Sequence, residues 1–291
     1  MTVALITGAN SGIGRGAAID LAAKGWTVYG SMRSLDKGDK LATLAEEAGV
    51  VVHPVVCDVT DAESVDRAVA EVIADAGRID VLVNNAGIGG NGVLEETGVD
   101  EYASVMDVNV YGIIRCCQAV LPHMRAQGSG CILNVSSIAG VIAAIAQSPY
   151  VTSKWAVEGL TEGLAQEVAS HGIRVALIEP GIVKTAIMAK NTDAPNASGA
   201  YDAAYRRLFA FYAAGLMNPG HPSEVSDVIF EAATTDDPKL RWTCGWGGTE
   251  LVEGRAAMSD EDWVELGGIE DDAAYIARFK ELFGLDIAPH A

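Results

Sequence analysis

Six short apolar runs, at residues 3–7, 27–31, 51–57, 81–84, 131–135 and 174–178, are separated by stretches long enough for helices. VALIT and CILNV are typical: apolar nearly end to end, with no alternation of polar residues. Successive side chains of a strand point to opposite faces, so such runs require a sheet covered on both sides. The stretches between them, at 15–23, 39–48, 62–75, 104–126 and 150–170, carry helical patterns. Strands joined by helical crossovers pair in parallel, and the crossovers keep one hand. The expected fold class is therefore α/β, a doubly wound parallel sheet with helices on both faces and ligands at the strand carboxyl ends. Pro122 lies within the 104–126 stretch and predicts a bend or an end to that helix. No linker breaks the chain, so residues 1–291 are expected to form a single catalytic domain.

Charge and cysteine content narrow the partners. Twenty basic against thirty-nine acidic residues leave a formal charge of −19, which argues against nucleic acid or an anionic membrane as partner. The five cysteines, at 57, 116, 117, 131 and 244, are odd in number and form no CxxC pair. A disulfide scaffold or a metal site is thus not expected, and a cytoplasmic location is. No apolar run reaches the length of a membrane span.

TGANSGIG, residues 7–14, falls between the first strand and the first helix. Glycines at 8, 12 and 14 allow a tight turn and let a pyrophosphate approach backbone amides at the helix N-terminus. An acid at the end of the second strand would hold the adenosine ribose and repel a 2′-phosphate. Here the chain reads Ser31-Met32-Arg33-Ser34, with a guanidinium that can grip phosphate. NADP(H) is therefore the expected cofactor; NAD(H) stays possible if Asp36 or Asp39 occupies Arg33. Asp58, followed by Val59, could accept from the adenine amino group or cap the next helix. Asn84-Asn85-Ala86-Gly87 ends the fourth strand at the same edge, small enough for a cofactor to pass closely.

Tyr150 and Lys154 are four apart in a helical stretch and share a face. A phenol is a poor base near neutrality. An ammonium about 5 Å away favours phenolate by about 3 kcal/mol at an effective dielectric near 20, or about two pKa units. Tyr150 can then exchange a proton with an alcohol or a carbonyl oxygen. Ser136 and Ser137 follow the fifth strand; either hydroxyl could hold the substrate oxygen or only stabilise the turn. Asn109, expected inside the long preceding helix, is a poor helix former there, so a polar role is reasonable beside plain local bonding.

Taken together, these motifs resemble the short-chain dehydrogenase/reductase family over residues 2 to about 185. TGANSGIG, NNAG at 84–87, Asn109, a serine thirteen residues before Tyr150, YVTSK at 150–154 and PGIVKT at 180–185 carry the resemblance. It implies a Rossmann-type sheet of seven strands, the seventh within 241–245, and a homodimer or homotetramer built through the two long helices. Asn109, Ser137, Tyr150 and Lys154 become the implied catalytic set, with Ser137 preferred over Ser136. Lys154 would also bind the nicotinamide ribose, and Asn109 would hold a water linking Lys154 to solvent. The implied cofactor-binding residues are Gly8, Asn10, Ser11, Gly12, Ile13, Gly14, Arg33, Asp58, Val59, Asn85, Ala86, Gly87, Tyr150, Lys154, Pro180, Gly181, Val183 and Thr185, the last toward the nicotinamide carboxamide. Arg33 resembles the NADP-preferring members. Glu179 departs from the pattern, standing where many relatives carry asparagine, and the last forty residues depart as well.

Beyond Gly181, residues 186–218 are expected to form a substrate lid, or to pack on the main domain. Tyr201, Tyr205, Phe209 and Tyr212 share one helical face there. Residues 250–291 are expected as a helical extension, with helices at 259–266 and 271–282, packed on the core or on a neighbouring subunit. The expected activity is hydride transfer between NADP(H) and a ketone or secondary alcohol, the ketone being hydrophobic. An inactive cofactor-binding protein, or an epimerase with the same cofactor, is the alternative.

Overall fold

The computed structural model describes residues 1–185, 187 and 195–288. Positions 186 and 188–194 of the expected lid, and 289–291 of the C-terminal extension, lie outside the described residues.

The six apolar runs all form strands: β1 (Val3–Ile6), β2 (Thr27–Met32), β3 (Val52–Val56), β4 (Val81–Asn84), β5 (Gly130–Val135) and β6 (Ile173–Pro180). A seventh, β7 (Arg241–Cys244), completes a parallel sheet of order β3-β2-β1-β4-β5-β6-β7. Ala4 of β1 pairs with Val28 on one side and Val81 on the other, so the order reverses between β1 and β4. Crossovers leave to opposite faces at that point and open a crevice at the strand carboxyl ends.

Side-chain alternation builds two cores from the same strands. Val3, Leu5, Leu82, Ile132 and Val175 face α3 (Ala62–Ala76), α5 (Gly112–Gln127) and α6 (Ser148–Val168). Ala4, Ile6, Val83, Leu133 and Ile178 face α1 (Gly12–Ala23) and α2 (Asp39–Glu47). The central strands β1, β4, β5 and β6 are covered on both faces, as their apolar runs require, while the edge strand β3 leaves Pro54 and Val56 exposed.

The long helix expected at 104–126 is divided, but not at Pro122. α4 (Val99–Met106) passes through a π-helical turn, Asp107–Tyr111, into α5, which runs past Pro122 to Gln127. Pro122 and its i−4 neighbour Gln118 both face solvent, so water can satisfy the carbonyl that proline leaves unpaired. The helix stops instead at Gly128, whose φ of 67° suits glycine. Asn109 accordingly sits in the π turn, not in a regular helix.

Downstream, α7 (Asp202–Met217) leads into α8 (Pro222–Thr234), which packs on α1 and gave no clear pattern in the sequence. β7 is followed by α9 (Gly248–Ala257), α10 (Asp260–Gly268) and α11 (Asp272–Phe283). Ser259 and Asp262 form a reciprocal capping box on α10, and the Asp271 side chain caps α11. These helices pack on their own chain around Leu251, Leu266, Phe279 and Phe283. Among the described residues, no helix is long and apolar enough to cross a membrane.

Candidate active site

A cavity of about 590 Å³ runs along the carboxyl edge of the sheet, from the β1–α1 turn to the C-terminal helices. Its first third is the glycine turn. Gly8 and Gly12 have φ of 68° and 54°, conformations that other residues rarely adopt. The side chain of Ser11 makes no capping bond and no acid stands in the first turn of α1, so amides there point toward the cavity. Asn10, Ser11, Gly12 and Ile13 line it, whereas Gly14 stands behind its wall. A Cβ at Gly14 would come within 2.3 Å of Asn85 Nδ2, which donates to the Thr7 carbonyl at 2.9 Å. Thr7 Oγ1 also accepts from the amides of Asn85 and Ala86, both at 3.0 Å. The ends of β1 and β4 are thereby tied together beneath the turn.

At the β2 end, Arg33 and Lys37 both line the cavity, and both are exposed. Asp36 is held by Ser34 rather than by Arg33. Lys37 escaped the sequence reading because nothing in its pattern marks which side of a loop it will face. Asp58 accepts from the amide and hydroxyl of Thr60 at 3.0 and 2.8 Å, while Asp61 caps α3. Burial would raise the Asp58 carboxyl, but the bonds from Thr60 and the charges of Arg33 and Arg115 outweigh it and hold it low. Val59, Asn85, Ala86 and Gly87 continue the wall; Pro180, Gly181, Val183 and Thr185 close it opposite. Thr185 lies against Gly12, where a Cβ would be 3.3 Å away. A floor of backbone amides, small residues along both walls and two cations at the β2 end fit a dinucleotide phosphate.

Tyr150 and Lys154 line the middle of the cavity. Pro149 in the first turn of α6 presets the helical φ, so both side chains leave one face of the helix. Lys154 Nζ lies 5.5 Å from the centre of the Tyr150 ring and donates to the Val135 carbonyl at 2.8 Å. Ser137, just past the end of β5, lines the cavity beside Tyr150 and acts to lower its phenol; its Oγ accepts from the Ala139 amide at 3.2 Å and lies 3.4 Å from the Pro180 carbonyl. Ser136 lines the cavity as well, and its Oγ stands against Gly140, where a Cβ would be 2.7 Å away. The expected lowering of the phenol's pKa is not what the fold produces. Desolvation raises Tyr150 despite Ser137, and desolvation also pushes Lys154 down to about 8, with Glu158 opposing. Burial acts on both groups, and it weakens the cation that was to favour phenolate.

Asn109 does not reach the cavity. Its Oδ1 accepts from the Ile88 amide at 2.9 Å, and its Nδ2 donates to Ile88 O and to Ser153 Oγ, each at 3.0 Å. Ser153 in turn donates to the Tyr150 carbonyl at 2.7 Å. Asn109 thus locks the β4 loop to the first turn of α6.

The far end is apolar, with Ile142, Ala143, Ala144 and Ile145 along it. Of the four aromatic residues expected to share a face on α7, only Tyr212 lines the cavity; Leu208 and Phe211 do so beside it. Tyr205 donates instead to the Pro195 carbonyl at 2.6 Å and accepts from the Val93 amide. Tyr212 accepts from Gln147 and donates to Asn91 at 3.0 Å. Trp263, Tyr275 and Phe279 from the C-terminal helices complete the wall.

A glycine turn at the sheet's switch point, opening into a cleft with an adjacent serine, tyrosine and lysine, defines a nicotinamide-dependent oxidoreductase architecture. The family model described as short chain dehydrogenase matches residues 2–196, and the chain belongs to that family. Its members use nicotinamide cofactors and act on small molecules. The chain is 36% identical over 252 residues to the uncharacterized oxidoreductase YusZ of Bacillus subtilis, covering 84% of this chain and 89% of that one. A short-chain dehydrogenase from Streptomyces avermitilis superposes with a TM-score of 0.76 at 34% identity, covering 92% and 95% of the two chains. An alcohol dehydrogenase from Thermococcus sibiricus, complexed with 5-hydroxy-NADP, superposes with a TM-score of 0.69 at 28% identity, covering 84% and 96%.

Proposed function

We propose that the chain catalyses reversible reduction of a hydrophobic ketone with NADPH, and that Tyr150 is its acid/base. The observation that carries this is the convergence of Tyr150, Lys154 and Ser137 on one cavity that also contains the glycine turn, Arg33 and Lys37. Bound nicotinamide supplies or accepts the hydride. The glycine turn and the α1 amides hold the pyrophosphate, Lys154 the ribose, and Thr185 the carboxamide. Arg33 and Lys37 together grip a 2′-phosphate, which favours NADP(H) over NAD(H). Ser137 donates to the substrate oxygen and orients it against the phenol. Tyr150, kept protonated by its surroundings at neutral pH, gives its proton to that oxygen in reduction and must lose one before oxidation. α7 and the C-terminal helices enclose the apolar body of the ketone, which excludes water from the reacting carbon.

Tyr150→Phe should lose at least about a thousandfold in kcat while binding NADPH within a few-fold, measured by fluorescence titration. Substantial residual turnover would sink the acid/base assignment. Removing both cations in Arg33→Ala/Lys37→Ala should cut kcat/KM with NADPH by ten- to hundredfold, about 1.4–2.7 kcal/mol, and leave NADH nearly unaffected. An equal loss with both coenzymes contradicts the 2′-phosphate role.

A further inference from the structure

Behind the lysine, α6 continues a line of titratable groups. Tyr150, Lys154, Glu158 and Glu162 follow at intervals of four and stand on one face of the helix. The first two line the cavity, and Glu162 is exposed at the other end. Glu158, between them, is only 6% exposed, and its carboxyl shares one arginine with that of Glu179 on β6, which is 0% exposed. Arg241 of β7 reaches both: its Nε lies 3.1 Å from Glu158 Oε2 and 3.4 Å from Glu179 Oε1. Its Nη2 is 3.0 Å from Glu162.

One guanidinium does not satisfy this cluster. Glu158 Oε1, both carboxyl oxygens of Glu179 and Ser136 Oγ are buried without a conventional donor. Gly140 makes the crowding possible, since a Cβ there would stand 2.7 Å from Ser136 Oγ and 2.9 Å from Glu158 Oε1. Two ionised carboxylates in contact, shielded from water, repel each other; one proton between them turns that repulsion into a hydrogen bond.

We infer that Glu158 and Glu179 form a carboxyl pair sharing one proton, clamped by Arg241, whose remaining charge keeps Lys154 cationic beside Tyr150. Glu158 is then a positioning residue that acts through Lys154. The inference rests on the proposed roles of Tyr150 and Lys154. The acid–base balance agrees: burial first, then Glu158, pushes Glu179 up to about 7 against the pull of Arg241. Glu158 also opposes the desolvation that lowers Lys154. The groups facing the pair are Lys154 and Glu162 on α6, Arg241 and Cys244 on β7, and Glu224 of α8 beyond Cys244.

Two measurements on the full chain test it. Infrared spectra at pH 6 should contain a protonated-carboxyl band that fades as pH rises past about 7 and is missing in both Glu179→Gln and Glu158→Gln. In alcohol oxidation, Glu158→Gln should move the acid limb of the kcat–pH profile up by about one unit, because Lys154 sheds its proton more readily and phenolate loses its companion charge. Glu162→Gln, already solvated, should leave the limb where it is. A band that survives both substitutions, or a Glu158→Gln profile superimposed on the parent's, overturns the inference. If Glu158→Gln does not fold by circular dichroism, the band in Glu179→Gln decides alone. An active Tyr150→Phe variant removes the site assignment and the inference with it, whereas an inactive one beside an unmoved Glu158→Gln profile removes only the inference.

Discussion

At position 14 only a hydrogen atom fits. A methyl group there would lie 2.3 Å from Asn85 Nδ2 and 2.7 Å from the Gly8 carbonyl. Gly14→Ala is expected to cost roughly 1–3 kcal/mol in chemical denaturation and to weaken NADPH binding at least tenfold, because the turn and the β4 loop must separate. Glu179 gives a second residue-scale expectation. Its folded-state pKa, raised from 4.5 to about 7, makes the native state bind more protons than the unfolded chain between those values. The associated stability is present in full below about pH 4.5 and is lost as pH rises through about 7. Glu179→Gln has no such loss, so it should gain on the parent by on the order of 3 kcal/mol between those limits. Equilibrium urea unfolding across that range measures it; parallel stability curves would contradict it. The motifs at 7–14 and 150–154 were legible because backbone geometry and helical spacing act locally. Which of Ser136 and Ser137 meets Tyr150 was not, since that depends on how β5 ends against α6.

Elements far apart in the chain make the apolar end of the cavity. Arg207 of α7 is buried; its Nε lies 3.0 Å from Asp272 at the start of α11, and its Nη2 donates to the carbonyls of Ile269 and Glu270. Its guanidinium stacks 4.3 Å from the centre of the Tyr275 ring. Arg206 holds the same carboxylate at 2.9 Å. Asp272→Ala leaves a buried cation short of its partner, and the clasp should weaken. We expect KM for bulky hydrophobic ketones to rise several-fold, with a smaller change for a small ketone such as acetone. Steady-state kinetics on the two substrates checks this, and equal effects would argue against a shared wall. Helical spacing grouped Tyr205, Phe209 and Tyr212 on α7, with Tyr201 at its N-cap packed beside them. It could not say that the cavity takes the edge of that face, where Leu208, Phe211 and Tyr212 lie, because the docking angle is set by contacts with Ile182 and Trp246.

On the scale of the whole molecule, a formal charge of −19 opposes compaction through self-repulsion. Added sodium chloride screens it over a Debye length of about 10 Å at 0.1 M. Tm should therefore rise by several degrees between low salt and 0.5 M; a flat response would mean that ion pairs such as those of Arg241 and Asp272 already balance the field. By itself the sequence determined the doubly wound sheet, the glycine turn at its carboxyl edge and the pairing of Tyr150 with Lys154, because strand burial, glycine turns and helical spacing are properties of neighbouring residues. Only the tertiary structure decided that the C-terminal helices wall the cavity, that Lys37 faces it, and that Glu158, Glu179 and Arg241 meet behind the lysine. Arg241 and Glu158 alone stand 83 residues apart in the chain, and the desolvation of such groups is a property of the packed interior, not of any local pattern.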